Sequence, residues 1–447
     1  MRIAGIFFVL CAFVLLAAPW AHAADSPDAA DRIRQTLLYG IDSQVLDAIQ
    51  GLQSTRDSGY TKELAQILSE QRSVDVQKAV LALFLDQKVK DGEASAKAVL
   101  GGWQDAQQDL LISSIQYLAG IGASGLPAAL APLVDSGDNT IGVTAIQALA
   151  KVGDASSVTL LLGKLKSADY PDARKSEIVL ALGARKDPSA VDTLLSIAKN
   201  TEEDKVRRMY AADALGKIGD ARAVPVLKSM FGEKDALIRL YAASALAQFS
   251  IDDAMPFLLQ GLRDENWKLR EQSAKALGRQ LSPGQSGPVV PVLIYKARYD
   301  PVSQVRIASV QALGAIGGGE AMKALAELYA GSDRSLDSRE AALQVLVDKA
   351  LPLSVGSIRT VLGQEAGSFD QRTLESTAKV LSTAKGTELR EFYVRFLESK
   401  DPVVRSYGAR GIAANHLSDL RDKLKAMSEN DPNPGARREA EIALGRL

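Results

Sequence analysis

The sequence predicts an all-α protein, an α-solenoid in which helix–turn–helix units stack side by side. Three observations carry that reading. Leucine or isoleucine anchors recur at 52, 83, 118, 149, 182, 215, 246, 277, 313, 346, 381, 412 and 444, spaced 31 to 36 residues apart, a period typical of helical repeats. Four residues before the anchor, one helical turn back, stands a small side chain in twelve of these thirteen cases: Ala48, Ala79, Ser114, Ala145, Ala211, Ala242, Ser273, Ser309, Ala342, Thr377, Gly408 and Ala440, with Ile178 the exception. Finally, hydrophobic residues make up 47% and charged residues 24%, enough to fold, while aromatics are only 5%; the aliphatic content is rich in Ala and Leu, which favours helices over a β-sandwich.

Residues 1–23 read as a signal peptide. Arg2 supplies the positive start, Ile3 to Ala18 is an apolar run, Pro19 breaks it, and Ala21-His22-Ala23 fits a small-x-small cleavage site. An uncleaved anchor is the alternative; the run is short for a span of ~20 residues. No other stretch reaches membrane-spanning length without charges. After cleavage Cys11 and His22 are gone, leaving no thiol and one imidazole, His416. A large exported chain without disulfides or Asn-x-Ser/Thr acceptors points to the periplasm of a Gram-negative bacterium, or to secretion.

Residues 24–447 then read as a single solenoid of about 12–13 repeats. In each, the anchor helix is followed by a turn, often with Gly, and a second amphipathic segment such as Ala223-Val224-Pro225-Val226-Leu227. A large residue one turn from a small one lets a neighbouring helix approach while the large side chain fills the gap. Asp300-Pro301, Asp401-Pro402 and Asp431-Pro432 read as helix starts, Asp capping free N–H groups and Pro at the first helical position. The longer spacings mark insertions near Asp91-Gly92-Glu93 and at 282–291, where Pro and Gly cluster and a bend is expected. The last helix, Arg437 to Leu444, is charged on one side and reads as a solvent-facing cap.

These columns, clearest in Val206-Arg207-Arg208 through Asp220, Leu237-Ile238-Arg239 through Leu246 and Val305-Arg306 through Gly317, resemble HEAT-like repeats, particularly the short variety of the phycobilisome lyases. The resemblance runs from about Asp28 to the C-terminus and implies a right-handed superhelix whose second helices line the concave surface. It also implies a role for the bases seven residues before the anchor, Lys175, Arg208, Arg239, Arg270, Arg306, Arg339, Arg405 and Arg437: a ladder of Asp–Arg hydrogen bonds between repeats. A basic binding stripe is the other reading, and overall neutrality opposes it: without Arg2, 52 basic groups face 54 acidic ones. That balance gives no electrostatic reason to expect nucleic acid or an acidic membrane as ligand.

The motif Arg-x-Tyr-small recurs at Tyr210, Tyr241 and Tyr407. By the same resemblance Tyr210, Tyr241 and Gln272 fall on consecutive ridges, beside the polar positions Asp213, Ser244 and Lys275. They form a candidate protein-binding groove, since tyrosine offers rigid amphipathic contact. The competing reading packs the tyrosines between repeats with wetted hydroxyls. His416 reads as a helix-end cap, and Glu202-Glu203-Asp204 and Asp252-Asp253 as groups attracted to helix N-termini. With no thiol, one imidazole, and no phosphate loop, Gly-x-Ser-x-Gly or His-Glu-x-x-His segment, no catalytic, cofactor or metal residue is assigned.

The function expected is a non-enzymatic exported scaffold or adaptor for protein–protein interaction in the bacterial cell envelope. One alternative is a lyase-like or other enzyme subunit, as the resemblance to phycobilin lyases allows. Deoxyhypusine hydroxylase also uses HEAT-like repeats, but its paired His-Glu iron ligands have no counterpart, as no His-Glu dipeptide occurs. The other is a binder of a cell-wall component, disfavoured by sparse aromatics.

Overall fold

A computed structural model describes residues 27–331, 334–363 and 371–447; the expected signal peptide, 1–23, lies outside the described residues. The chain divides into two compact units, one ending at Ala190 and the other running Val191–Leu447. In the first are α1 (Pro27–Tyr39), α2 (Asp42–Thr55), α3 (Thr61–Ser69), α4 (Val74–Gln87), α5 (Glu93–Gly101), α6 (Gln108–Ile121), α7 (Leu126–Leu130), α8 (Asn139–Val152), α9 (Ala155–Lys166) and α10 (Asp172–Arg185). In the second are α11 (Val191–Lys199), α12 (Lys205–Ile218), α13 (Ala223–Phe231), α14 (Ala236–Leu246), α15 (Ile251–Gly261), α16 (Trp267–Gln280), α17 (Val290–Tyr299) and α18 (Ser303–Ile316). It continues with α19 (Gly319–Ala330), α20 (Leu336–Lys349), α21 (Leu351–Gly363), α22 (Gln371–Leu381), α23 (Arg390–Leu397), α24 (Pro402–Ala414), α25 (Arg421–Asn430) and α26 (Pro434–Leu444). Among the described residues there are only helices, 3-10 turns and loops.

Each even-numbered helix from α2 to α26 carries one anchor, so the repeat period is the hairpin. Twelve anchors are buried; Leu444, in α26, is half-buried. Full burial of a Leu side chain contributes about 1.5–3 kcal/mol, so the anchors are the main apolar seam. Within each unit the even helices pack on one another in sequence, α2 on α4 through α8 on α10, and α12 on α14 through α24 on α26. Most odd helices lean on the even helix that follows; α21 instead packs on α19 and α20.

At α12 and α16 the residue after the anchor is a glycine pressed against the next even helix. A Cβ on Gly216 would lie 2.8 Å from the Ala245 Cα, and one on Gly278 would lie 2.6 Å from the Ala312 Cα. Bare glycine there lets α12 press on α14 and α16 on α18. Just after α14 that place is held by the buried Ala247. The insertion at Asp91-Gly92-Glu93 is anchored by the fully buried Tyr117, whose hydroxyl donates to the Val89 carbonyl at 2.7 Å and accepts from the Gly92 N–H at 3.2 Å.

The Asp-Pro starts need correction. Asp401 caps α24 as expected, accepting from the Val403 N–H at 2.8 Å with Pro402 at the first helical position. Asp300 and Asp431 lie outside their helices, which begin at Ser303 and Pro434. Each binds the N–H two residues on, Val302 and Asn433, and also accepts from an arginine of the preceding repeat, Asp300 from Lys296 as well. The second insertion forms a 3-10 turn, Pro283–Gln285, ahead of α17.

Candidate functional site

The arginine column accounts for itself structurally. In the second unit Arg208 forks onto the Glu233 carboxylate at 3.0 and 2.6 Å. Glu233 offers its carbonyl to Arg239, which forks onto Asp264 at 2.8 and 2.9 Å. The Asp264 carbonyl accepts from Arg270, which forks onto Asp300 at 2.8 and 2.9 Å; the Asp300 carbonyl accepts from Arg306, which reaches Asp337 at 2.7 Å. Glu233, Asp264 and Asp300 thus each receive one guanidinium on the carboxylate and the next on the carbonyl, a relay that runs from Arg208 in α12 to Asp337 in α20. Arg339 binds the Tyr329 carbonyl and the Thr373 hydroxyl, both at 2.8 Å. Arg405, Asp431 and Arg437 repeat the pattern at the end.

Lys175 does not join this ladder: it pairs at 3.6 Å with Asp172, in its own helix. The buried base there is Arg174, one residue earlier, and it reaches back to the Asn139 side chain and the Val134 and Asp138 carbonyls. Its neighbour in the sequence concealed it. Glu202-Glu203-Asp204 behaves as read, Asp204 capping α12 through the Arg207 N–H at 2.9 Å. His416 sits exposed just after α24 with φ 50°.

With the bases consumed, the outward side of α12, α14 and α16 is where the candidate groove residues collect. Tyr210 and Asp213 stand on α12, Tyr241 and Ser244 on α14, Gln272 and Lys275 on α16; the tyrosines and Asp213 are half-buried, the other three exposed. The close approach at Gly216 brings the two tyrosine rings to 6.4 Å between centroids, tilted at 53°. Burial pushes the Tyr241 phenol above its ordinary value, with the nearby Tyr210 and Asp213 adding to it. Tyr407 stands apart on α24, with Arg410 5.6 Å from its ring and four even helices between it and Tyr241.

Sequence reasoning missed three further members. Val206, Leu237 and Trp267, at the first turns of the same three helices, are 40%, 38% and 37% exposed. The signal was present: Val206 and Leu237 each precede their tyrosine by four residues, hence share its face. Asp235, Asp213 and Glu271 on this face each already have a base. Lys205 meets Asp235 at 2.9 Å, Lys217 meets Asp213 at 2.6 Å, and Lys275 meets Glu271 at 2.6 Å. The Lys268 ammonium lies 5.8 Å from the Trp267 ring. The patch is therefore apolar, aromatic and close to electroneutral.

Four tyrosines plainly serve the fold. Tyr117, Tyr170, Tyr329 and Tyr393 are buried with hydroxyls bound to Val89, Val134, Thr377 and Leu381. Burial pushes the Tyr117 and Tyr329 phenols up to about 12. Those four are structural. The hydroxyls of Tyr210 and Tyr241 bind no group among the described residues. Elsewhere, the first unit holds a cleft of about 800 Å³ beside α5, with Leu68, Gln77, Leu81, Val99, Leu110 and Ser114 in its lining. Among the described residues no three His, Cys, Asp or Glu side chains converge as metal ligands would.

Stacked hairpins with a buried acid–arginine ladder define the protein as a HEAT-repeat α-solenoid. Residues 37–442 match the family described as "Spirochaete HEAT repeat protein", and the chain belongs to that family. Among solved structures it is similar to yeast importin-beta (Kap95p), with TM-score 0.55 and 14% identity over 94% of this chain and 67% of that one. It is also similar to Kap95 in the Kap95:Nup1 complex, with TM-score 0.54 and 16% identity over the same shares, 94% and 67%. At such identities the likeness is one of fold. A shorter stretch is 38% identical over 86 residues to deoxyhypusine hydroxylase of Aspergillus oryzae (strain ATCC 42149 / RIB 40), 19% of this chain and 21% of that protein. Another is 32% identical over 90 residues to the Drosophila pseudoobscura pseudoobscura enzyme, 20% of this chain and 25% of that protein. The chain thus spans a quarter or less of the length of these curated relatives.

Proposed function

We propose that the protein is an exported, non-enzymatic scaffold that binds a protein partner of the bacterial cell envelope through the outward face of α12, α14 and α16. One observation carries the reading. Tyr210 and Tyr241 are held in ring contact, with hydroxyls unpartnered among the described residues, beside Val206, Leu237 and Trp267, whereas Tyr117, Tyr170, Tyr329 and Tyr393 are buried and hydrogen-bonded. Clustered aromatic and apolar groups with internally neutralised charges are what the centre of a protein interface needs. HEAT-repeat membership supports a binding role, by analogy of fold. Export rests on the leader in the sequence.

The similarity to deoxyhypusine hydroxylase favours an enzyme as second reading, over about a fifth of the chain. It has against it a sequence with two histidines in all, neither followed by Glu.

The test is photo-crosslinking in the native envelope, with a reactive amino acid placed at Ser244 or Gln272, followed by mass spectrometry. The reading expects one protein captured from both positions and lost when Tyr210→Ala and Tyr241→Ala are combined in a chain of unchanged helicity. Capture indifferent to both tyrosines refutes it.

A further inference from the structure

We propose that the cleft beside α5 binds a small, uncharged aliphatic alcohol. The site belongs to the first unit alone and stands on observations independent of the α12, α14 and α16 face.

In this stretch α1 packs on α3, but α3 and α5 scarcely touch. α5 lines the gap with Ala94, Ser95, Ala96, Ala98 and Val99, none larger than valine. The buried members of the lining, hence its floor, are Leu68 of α3, Gln77 and Leu81 of α4, Ala96, and Leu110 and Ser114 of α6. The space of about 800 Å³ falls within the range of small-molecule pockets, as does an apolar lining that carries a few placed polar groups.

The two polar groups in that floor are both incompletely bonded. Gln77 is 7% exposed, and its Nε2 donates to the Arg72 carbonyl at 2.6 Å. A carbonyl only accepts, so the amide is fixed, and Oε1, bonded to no group among the described residues, is left as an acceptor. The Ser114 side chain is completely buried, and its hydroxyl has no partner among the described residues. In the same column Ser309 and Thr377 turn their hydroxyls back to the carbonyls four residues earlier, at 2.8 and 2.7 Å. Ser273, also unbonded, lies against Gly261, where a Cβ would strike its hydroxyl. Ser114 is the member of the column that borders a cavity. Buried polar groups of this kind are normally met by a partner, and here the partner is a molecule held in the cleft.

The lining selects its chemistry. Gln77 Oε1 requires a donor, and a hydroxyl, which both donates and accepts, serves either floor group. Leu68, Val74, Leu81, Val99 and Leu110 are aliphatic, and the lining holds no aromatic ring among the described residues, which suits a hydrocarbon body over a flat one. Its one base, Arg72, is committed to Asp42 and to the Gly40 carbonyl, both at 2.7 Å, and its one acid, Asp105, is exposed. An ionised head at the floor would therefore lose hydration without gaining a counter-charge.

The experiment titrates 1-hexanol, hexanoate and hexylammonium into the full chain by isothermal titration calorimetry, with amide exchange to locate the site. The proposal expects hexanol to bind saturably, at least about tenfold more tightly than either ion, and to slow exchange in α3 to α6. Gln77→Leu, which removes the acceptor at similar bulk, should weaken hexanol about three- to tenfold, the loss of one hydrogen bond. Gln77→Glu should turn the preference toward hexylammonium. Val99→Trp should fill the gap and abolish binding at unchanged helicity; the more exposed Ala98→Trp repeats that test should Val99→Trp disturb the fold. Equal binding of the three probes, hexanol binding that survives the filled cleft, or no saturable heat from any probe (a cleft that holds water only) each overturns the proposal.

Discussion

Asp300→Asn is the sharpest test of the ladder. The Asp300 side chain is completely buried and receives four donors: Arg270 Nε and Nη2 at 2.8 and 2.9 Å, Lys296 Nζ at 3.2 Å, and the Val302 N–H at 3.1 Å. Arg270 and Lys296 are themselves only 9% and 14% exposed. Asparagine keeps the shape and one acceptor but removes the charge, and turns an amide donor toward a guanidinium. Removing one partner of a buried ion pair costs about 3–5 kcal/mol, mainly through the charge left behind. Lys296 is near enough to the surface to swing out, so the lower end applies, about 3 kcal/mol. For a unit of this size that is a fall in Tm of roughly 6 to 12 °C. Urea and thermal melts followed by far-UV circular dichroism measure it. Adding Arg270→Gln should cost less than the sum of the two single changes, by about 0.5–3 kcal/mol, because both remove the same contact. A loss below about 1 kcal/mol for Asp300→Asn, or strict additivity, would refute the view that the relay stabilises the stack.

Further expectations concern glycine, tyrosine and acid. Gly278→Ala should destabilise by about 1–3 kcal/mol in a urea melt, since its Cβ meets the Ala312 Cα at 2.6 Å, whereas Gly163→Ala, with open space around it in α9, should stabilise by about 0.5–1 kcal/mol. Equal signs for the two would contradict the close approach of α16 and α18. Tyr117→Phe strands the Val89 carbonyl and the Gly92 N–H, and should cost about 1–3 kcal/mol and speed amide exchange around residues 89–93. Burial raises the Asp337 carboxyl, but the hydroxyls of Ser303 and Ser335 and the Arg306 guanidinium outweigh it and hold the group at about 2. Burial likewise works against Asp300, where Arg270, the Val302 N–H and Lys296 keep the carboxyl below its ordinary range. Carboxyls lowered by folding contribute stability that is complete above their unfolded value of about 4 and is lost as pH falls through the folded one. The second unit should therefore lose helicity between about pH 4 and pH 2, with a shallower acid limb in Asp337→Asn. A flat profile across that window would contradict the assignment.

Much of the architecture was legible because it repeats. A leucine one turn from a small residue, recurring every hairpin, has only one arrangement that buries it, which is stacking on another copy of itself. Twelve of the thirteen anchors are accordingly buried. The arginine column was readable for the same reason, since a base recurring in register must meet the same neighbour each time. Reading failed where register slips by one residue: Arg174 beside Lys175, and Asp300 and Asp431 taken as caps of helices that begin later. Local propensity cannot tell a helix cap from a turn one step upstream when the same Asp also serves an arginine in another repeat.

By itself, the amino-acid sequence determined the helical class, the repeat period, the seam residues and the tyrosines worth attention, because periodicity at 3.6 residues and at the hairpin length is a one-dimensional property. Only the tertiary structure decided which tyrosines serve the fold and which stand open. Burial and hydrogen-bond partners depend on how closely neighbouring helices approach, and that distance is set by Gly216 and Gly278 against Ala245 and Ala312, contacts between residues about thirty positions apart. The pairing of Tyr210 with Tyr241 across α12 and α14 is one such product of packing.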